Sequence, residues 1–383
     1  MLFIINVPNL RFPNFCTPWK IIPISNLLQF QNGLNGSPEQ YGKGVKFISV
    51  GDILNNIYIT YDNIKGLIDI DEKTLNNYSV TYGDILFQRS SEIINDIGRT
   101  NVYLDKNNIA TFGGFVIRGK KIGQYNPVFF NYLLKSPSSR KSIIRLGAGA
   151  QHYNIGQENI KTLNFYFPDE TEQAKIAYLF SKIDERIQTQ IKIISDHTSL
   201  KEGIYNLMFK ENHAEFKLKE LANIVKGKQI NNDQLLSNGF YYMMNGGTSP
   251  SGYLNSYNVL ENTISVSEGG NSCGYVQFNN SKFWSGGHCY TIQDVNSTLV
   301  DNKYLYHYLK YKEKELMNLR IGTGLPNIQK KDLENFMISV PSLLIQRKNL
   351  ALLEMLDKKK CILNKELQCL ERQKKYLLCN MFI

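Results

Sequence analysis

The sequence predicts an α+β protein built as a tandem of two mixed α/β domains, each followed by a long helix; if a pseudo-twofold axis relates the repeats, the helices pack as an antiparallel, coiled-coil-like pair. Three observations predict this. First, residues 168–209 align without a gap on residues 341–382 at a constant offset of 173, with identities at Pro168/Pro341, Gln173/Gln346, Lys175/Lys348, Leu179/Leu352, Asp184/Asp357, Lys192/Lys365, Lys201/Lys374, Met208/Met381 and Phe209/Phe382. Second, both copies of this stretch carry apolar residues at helical spacing. Third, the segments before them have the short aromatic and β-branched runs of strands, punctuated by Gly, Asn and Asp.

The elements follow in chain order. Residues 1–168 form the first domain, with strands expected at 45–50, 57–61, 85–87 and 115–117. A short helix is expected over 129–135, where Asn126 is placed to cap and Pro127 to open the first turn. Residues 169–212 form the first long helix: from Glu170 to Phe209 there is no proline, and Ile176, Leu179, Ile183, Ile187, Ile194, Ile204 and Leu207 recur along it. Residues 213–341 form the second domain, with strands at 241–244 and 264–266 and a helix over 301–312. Residues 342–383 form the second long helix, through Leu350, Leu353, Leu356, Leu363, Leu367, Leu370 and Leu377. About 40 residues at about 1.5 Å each span about 60 Å. That exceeds a small domain, so each helix must pack outside its own module, and the other helix is the expected partner.

The same offset of 173 extends upstream. It pairs Gly149 with Gly322, Asn154 with Asn327, Ile155 with Ile328 and Gly113-Gly114 with Gly286-Gly287. At the start of each domain an offset of 197 registers Trp19-Lys20-Ile21 on Phe216-Lys217-Leu218. The first globular segment is therefore the longer one.

A chain of 383 residues with a formal charge of +10 suits two or three domains and a polyanionic partner. The excess is uneven: 17 basic against 11 acidic side chains in residues 1–168, and 9 against 4 in 342–383, whereas 169–212 carries 6 against 8 and 213–341 carries 12 against 11. Cys16, Cys273, Cys289, Cys361, Cys369 and Cys379 lack the close spacing of zinc ligands and read as reduced thiols. The apolar opening of residues 1–5 is broken by Asn6 and Pro8, far short of a membrane span. The expectation is a soluble cytoplasmic protein.

Catalytic signatures do not hold up. Asn126-Pro127-Val128-Phe129 lacks the second proline of an amino-methyltransferase motif, no Glu-x-Lys lies at nuclease spacing after Pro168-Asp169, and no Gly-x-x-x-x-Gly-Lys-Ser/Thr loop is present. His288 and Cys289 are adjacent, so on a strand they face opposite sides; their counterparts at the 173 offset are Phe115 and Val116, and a packing role is expected. His152, His197, His213 and His307 make no metal constellation. The sequence argues for recognition without reaction: no catalytic residues, no metal and no cofactor.

The arrangement resembles the specificity subunit of Type I restriction-modification enzymes over nearly the whole chain. The residues that carry the resemblance are the opening Asn6-Val7-Pro8-Asn9-Leu10-Arg11-Phe12-Pro13-Asn14-Phe15 with Trp19-Lys20, then Gly83-Asp84-Ile85-Leu86-Phe87, then Gly246-Gly247 and Pro250-Ser251-Gly252-Tyr253, and the paired helices that run from Pro-x4-Gln-x-Lys to Met-Phe. The resemblance implies a non-catalytic subunit with two target-recognition domains. Each would read one half of an asymmetric bipartite site in double-stranded DNA. The helices would set the spacer and dock two methyltransferase (modification) subunits, with restriction subunits joining the full complex. Alternatives are an orphan or exchangeable specificity protein serving a methyltransferase without restriction, and a coiled-coil adaptor without DNA specificity.

Phosphate contacts need Lys, Arg or backbone N–H groups, and base edges favour Arg, Lys, Asn and Gln. The candidates for DNA contact are Lys43, Lys46, Arg89, Ser90, Arg99, Arg145 and Gln151 in the first domain, and Lys228, Asn245, Ser249, Asn271, Lys282, Arg320 and Thr323 in the second. For helix packing and partner docking they are Leu179, Ile183, Ile194, Ile204, Leu352, Leu356, Leu367 and Leu377. If the helices run out and back, residue 383 returns close to the start of the first domain.

Overall fold

The computed structural model describes residues 6–211, 213–322, 324 and 326–383; the apolar opening of residues 1–5 and the boundary residue Asn212 lie outside the described residues. The chain forms two compact units. One takes the residues up to Ile191 together with Lys365–Ile383, and the other takes Lys192–Asn364. Each unit thus holds a globular domain and a piece of each long helix.

In the first unit a four-stranded antiparallel sheet runs in the order Leu28–Asn32, Val116–Lys121, Ile85–Gln88, Thr100–Val102. Ile85–Gln88 is buried at every position, as a strand covered on both faces must be, whereas Leu28 and Phe30 alternate with outward Gln29 and Gln31. A three-stranded sheet of Gly66–Ile68, Tyr41–Ile48 and Thr111–Phe112 lies beside it in sequence, its last pair parallel. Lys20–Pro23 pairs with Asn164–Phe167, tying the start of the domain to its end.

Three expected strands are corrected. Residues 57–61 make only a bridge from Ile59 to Tyr103, because Asn63 folds the segment into a turn by accepting from Thr60 N and donating to Tyr58 O. The strand at 45–50 ends at Ile48: Ser49 N and Oγ both donate to Asp52, a capping arrangement that starts a helix at Val50. The strand expected at 115–117 begins at Val116, and Phe115 remains in the preceding turn.

The helix Pro127–Lys135 forms as its cap predicts, with Asn126 Oδ1 accepting from Val128 N and Phe129 N at 3.0 Å each. It buries Phe129, Phe130, Leu133 and Leu134 against the four-stranded sheet and the start of the first long helix, Glu170–Phe209. The second long helix, Leu343–Asn380, brings its end into this same unit. Leu10 N donates to Asn380 O at 2.8 Å, and the Phe382 ring packs 5.7 Å from Phe129 and 6.4 Å from Trp19. The chain end returns to the start of the first domain, as the out-and-back arrangement requires. Here the helices are antiparallel: Asp184 meets Lys374 and Gln190 meets Glu366, so one number rises as the other falls.

The second unit has the same plan. Its four-stranded sheet runs Asn223–Lys226, Cys289–Gln293, Thr263–Ser267, Val276–Asn279, and its three-stranded sheet runs Gly252–Leu254, Tyr241–Met244, Trp284–Ser285 with the last pair again parallel. Ala214–Lys217 pairs with Met337–Val340. The helix Asn302–Tyr311 is capped by Asp301, and Phe209 packs 5.5 Å from both Tyr304 and Tyr308. Lys201 pairs with Asp357, joining the two long helices inside this unit.

Of the helix-packing candidates, Leu179 and Leu377 pack against the first unit's core, Ile183 is buried, and Ile204, Leu352 and Leu356 belong to the second unit's core. Ile194 and Leu367 are half-buried. No helix among the described residues is long and apolar enough to cross a membrane.

Candidate nucleic-acid interface

The first unit brings its polar candidates to one corner, where the buried strand Ile85–Gln88 runs out. Arg89 is fixed by its backbone: its N–H donates to Phe115 O at 2.9 Å and its C=O accepts from Ile155 N at 3.0 Å. Its guanidinium Nη1 donates to Gly114 O at 3.2 Å. Ser90 Oγ lies 2.5 Å from Asn154 Oδ1, and the short pair Ser90–Ser91 with Tyr153–Asn154 holds the following loop. That loop closes through reciprocal bonds between Ala148 and Asn154. Gly149 sits at φ +134°, and a Cβ there would lie 2.0 Å from His152 O, so only glycine fits the turn. Gln151 is exposed at its tip, and Arg145, exposed at the preceding helix end, makes no ion pair among the described residues.

The second unit repeats the backbone bonds of this corner. Glu268 N donates to His288 O at 2.9 Å, Glu268 O accepts from Ile328 N at 2.9 Å, and Ile321 and Asn327 exchange the loop-closing bonds. Gly322, at φ +102°, takes the place of Gly149. Three of the candidates lie at this corner: Asn245, whose Oδ1 accepts from His288 N at 3.0 Å; exposed Asn271, next to Gly270, whose N–H donates to Pro326 O; and exposed Arg320, two residues before Gly322. Thr323 lies outside the described residues. Lys228 is exposed, and its C=O accepts from Trp284 Nε1 at 3.1 Å. Ser249 is exposed on the connection that follows Gly246-Gly247.

Other candidates are occupied elsewhere. Lys43 pairs with Asp69 at 3.0 Å and Arg99 with Asp96 at 2.6 Å; Lys46 donates to Ile64 O at 2.7 Å, and Lys282 to Tyr257 OH at 3.4 Å.

The packing role expected of His288 and Cys289 holds for the thiol alone. Cys289 is buried, and burial pushes its pKa up to about 11, so it stays protonated at neutral pH. His288 is 65% exposed on the other face. Its Nδ1 lies 3.7 Å from Glu268 Oε2. Sequence reasoning did not place Glu268, Phe115 and His288 at this corner. The signal that could have found the last two was the repeated Gly113-Gly114 and Gly286-Gly287, each followed by one of them. Among the described residues no three His, Cys, Asp or Glu side chains gather as a metal site.

Comparison with known proteins agrees with this duplicated plan. The family model described as the type I restriction modification DNA specificity domain matches twice, at residues 17–195 and 210–372. A type I specificity subunit from Mycoplasma pneumoniae is 34% identical over 121 residues, an alignment that spans 32% of this chain and only 32% of that protein. The MjaX specificity subunit from Methanocaldococcus jannaschii is 24% identical over an alignment covering 94% of this chain and 92% of its own length. The crystal structure of a type I restriction-modification S subunit from M. genitalium shares the fold, with a TM-score of 0.64 at 20% identity over 98% of this chain and 99% of that one.

Proposed function

This chain belongs to the family of type I restriction-modification DNA specificity proteins, with two specificity domains in tandem, and from that membership we propose that it reads a split, asymmetric target in double-stranded DNA for partner subunits that carry the chemistry. Each domain reads one half-site. The long helices set the unread spacer between the half-sites and dock two methyltransferase subunits, and restriction subunits join the complete assembly. The protein works in the cytoplasm, where its DNA is, and takes no cofactor of its own.

The observation that carries this reading is the repeated corner. Two domains share backbone, sheet order and closing bonds, yet differ in the side chains at the corner: exposed Phe115 stands against exposed His288, and half-buried Arg89 against buried Glu268. A common frame with exchanged side chains is what two modules need to read different base pairs, since base edges are told apart by side-chain chemistry.

The test is methylation mapping by single-molecule sequencing in a methylation-free host that expresses the chain with a cognate modification subunit. The expected result is N6-methyladenine confined to one split, asymmetric motif and absent when this chain is omitted. A soluble complex that leaves the DNA unmethylated, or methylates it without a motif, overturns the reading.

A further inference from the structure

Phe115 and His288 occupy one position of the duplicated fold. Each follows a Gly-Gly pair, each opens the turn into the second strand of its four-stranded sheet, and each has its carbonyl engaged by the residue that ends the buried central strand, Arg89 or Glu268. Both residues are exposed. Beneath both, the second glycine packs closely on a side-chain amide: a Cβ on Gly114 would lie 2.0 Å from Asn35 Oδ1, and one on Gly287 would lie 2.4 Å from Gln229 Oε1. The turn is therefore seated on a side-chain amide and held by backbone bonds, and it presents one side chain outward.

The Phe115 ring stands largely in solvent on this turn. The setting of its counterpart differs. Glu268 is buried, and its Oε1 accepts from Lys226 Nζ at 2.6 Å and Tyr290 OH at 2.9 Å, while Oε2 has no hydrogen-bond partner among the described residues and faces His288. Burying a carboxylate oxygen without a partner is costly. Facing it is His288 Nδ1, at 3.7 Å.

On the reading that these domains bind DNA, we propose that the residue after the Gly-Gly turn is a specificity determinant in each: Phe115 makes an apolar contact with the 5-methyl group of a thymine in the major groove of the first half-site, and His288 takes a hydrogen-bonding base edge at the equivalent place in the second. The apolar side chain matches the one base edge that presents a methyl group, and the imidazole cannot substitute for it. This exchange contributes to the asymmetry of the target.

The full complex with its modification subunits tests this by binding to duplexes carrying the mapped motif, with each thymine replaced in turn by uracil, which lacks only the methyl group. For the unaltered protein one uracil, in one half-site only, weakens binding about fourfold, the value of one buried methyl-sized group. In Phe115→Ala the same uracil has no effect, while every other position keeps its discrimination; Phe115→Leu, which retains an apolar side chain, keeps part of the uracil response should the alanine variant fail to fold. His288→Phe shifts one pair of the other half-site towards A·T. The proposal is overturned if no thymine is sensitive, if sensitivity survives in Phe115→Ala, or if the variants weaken all duplexes alike. A wild-type complex with no split motif fails earlier, at the proposed function; a split motif without a thymine-sensitive position fails here.

Discussion

Lys374 Nζ lies 2.5 Å from Asp184 Oδ1, and the same two positions of the repeat meet again where Lys201 pairs with Asp357. Both residues of the second pair differ from those of the first by 173, with the helices exchanging roles. The two pairs are not equal in surroundings. Asp184 is nearly buried and also accepts from Tyr132 OH at 2.5 Å, whereas the Asp357 side chain is 44% exposed. Removing the lysine from a buried carboxylate strands a charge, while removing it from an exposed one does not. Lys374→Ala is expected to destabilise the first unit by about 2–3 kcal/mol, and Lys201→Ala the second by no more than about 1 kcal/mol. Hydrogen exchange read separately over the two ends of the helices measures both; equal losses contradict the argument.

Gln173 and Gln346 are expected to be the most costly polar truncations. Each is buried at the start of its helix and joins three segments. Gln173 Oε1 accepts from Asn126 N at 2.9 Å and its Nε2 donates to Pro168 O at 3.0 Å; Gln346 does the same with Asp301 N at 2.8 Å and Pro341 O at 2.8 Å. Truncation orphans a buried N–H and a buried C=O, at about 1–3 kcal/mol each. Gln173→Ala and Gln346→Ala should each cost about 3 kcal/mol and, lying in separate units, their effects should add. Denaturant titration of the single and double variants decides this, and strong non-additivity would show the units to be coupled.

The sequence carried these relationships unevenly. Gln173/Gln346, Asp184/Asp357 and Lys201/Lys374 were visible as identities because internal packing demands the same residue in both copies. The caps at Asn126 and Asp301 were visible because capping chemistry is local. The corner was only half legible: its glycines recur at a fixed offset, but the side chains they support differ, and repetition cannot reveal a position whose role is to be different. Glu268 stayed hidden for another reason. Its importance lies in contacts with Lys226, Tyr290 and His288, which sheet pairing assembles from separate strands. The turn at 57–61 was missed because its β-branched run reads as a strand until Asn63 is seen binding back to Thr60 and Tyr58.

Among the basic candidates, the free ones should matter more to DNA than the paired ones. Arg145 is exposed and makes no ion pair among the described residues, whereas the Arg99 guanidinium is held by Asp96 at 2.6 Å. A phosphate contact lowers log K by about 0.9 per decade of salt. Arg145→Ala should weaken binding to all sequences alike and reduce the salt slope by about 1, while Arg99→Ala should change the slope by much less. Anisotropy titrations of the complex over a range of salt concentrations test the pair; a larger effect from Arg99 reverses the assignment.

His307 should make the second unit sensitive to mild acid. Its ring is buried between the helix Asn302–Tyr311 and both long helices, with Nδ1 2.8 Å from Tyr205 OH and Nε2 3.9 Å from Asp357. Burial is the main cause that lowers its pKa to about 4, and the Lys201 and Lys303 charges add to it against the opposing pull of Asp357 and Glu354. The folded state therefore keeps the imidazole neutral at a pH where the unfolded chain already protonates it. Between pH 6.5 and about 4 the unfolded state binds the extra proton, so stability falls as the pH falls, by about 3 kcal/mol across the window. His307→Gln keeps a hydrogen-bonding partner for Tyr205 but does not titrate. Its second unit should be less stable than wild type at pH 7 yet lose less on acidification, and denaturation curves across that window should show the difference shrinking. Parallel curves would mean that other groups govern the acid response.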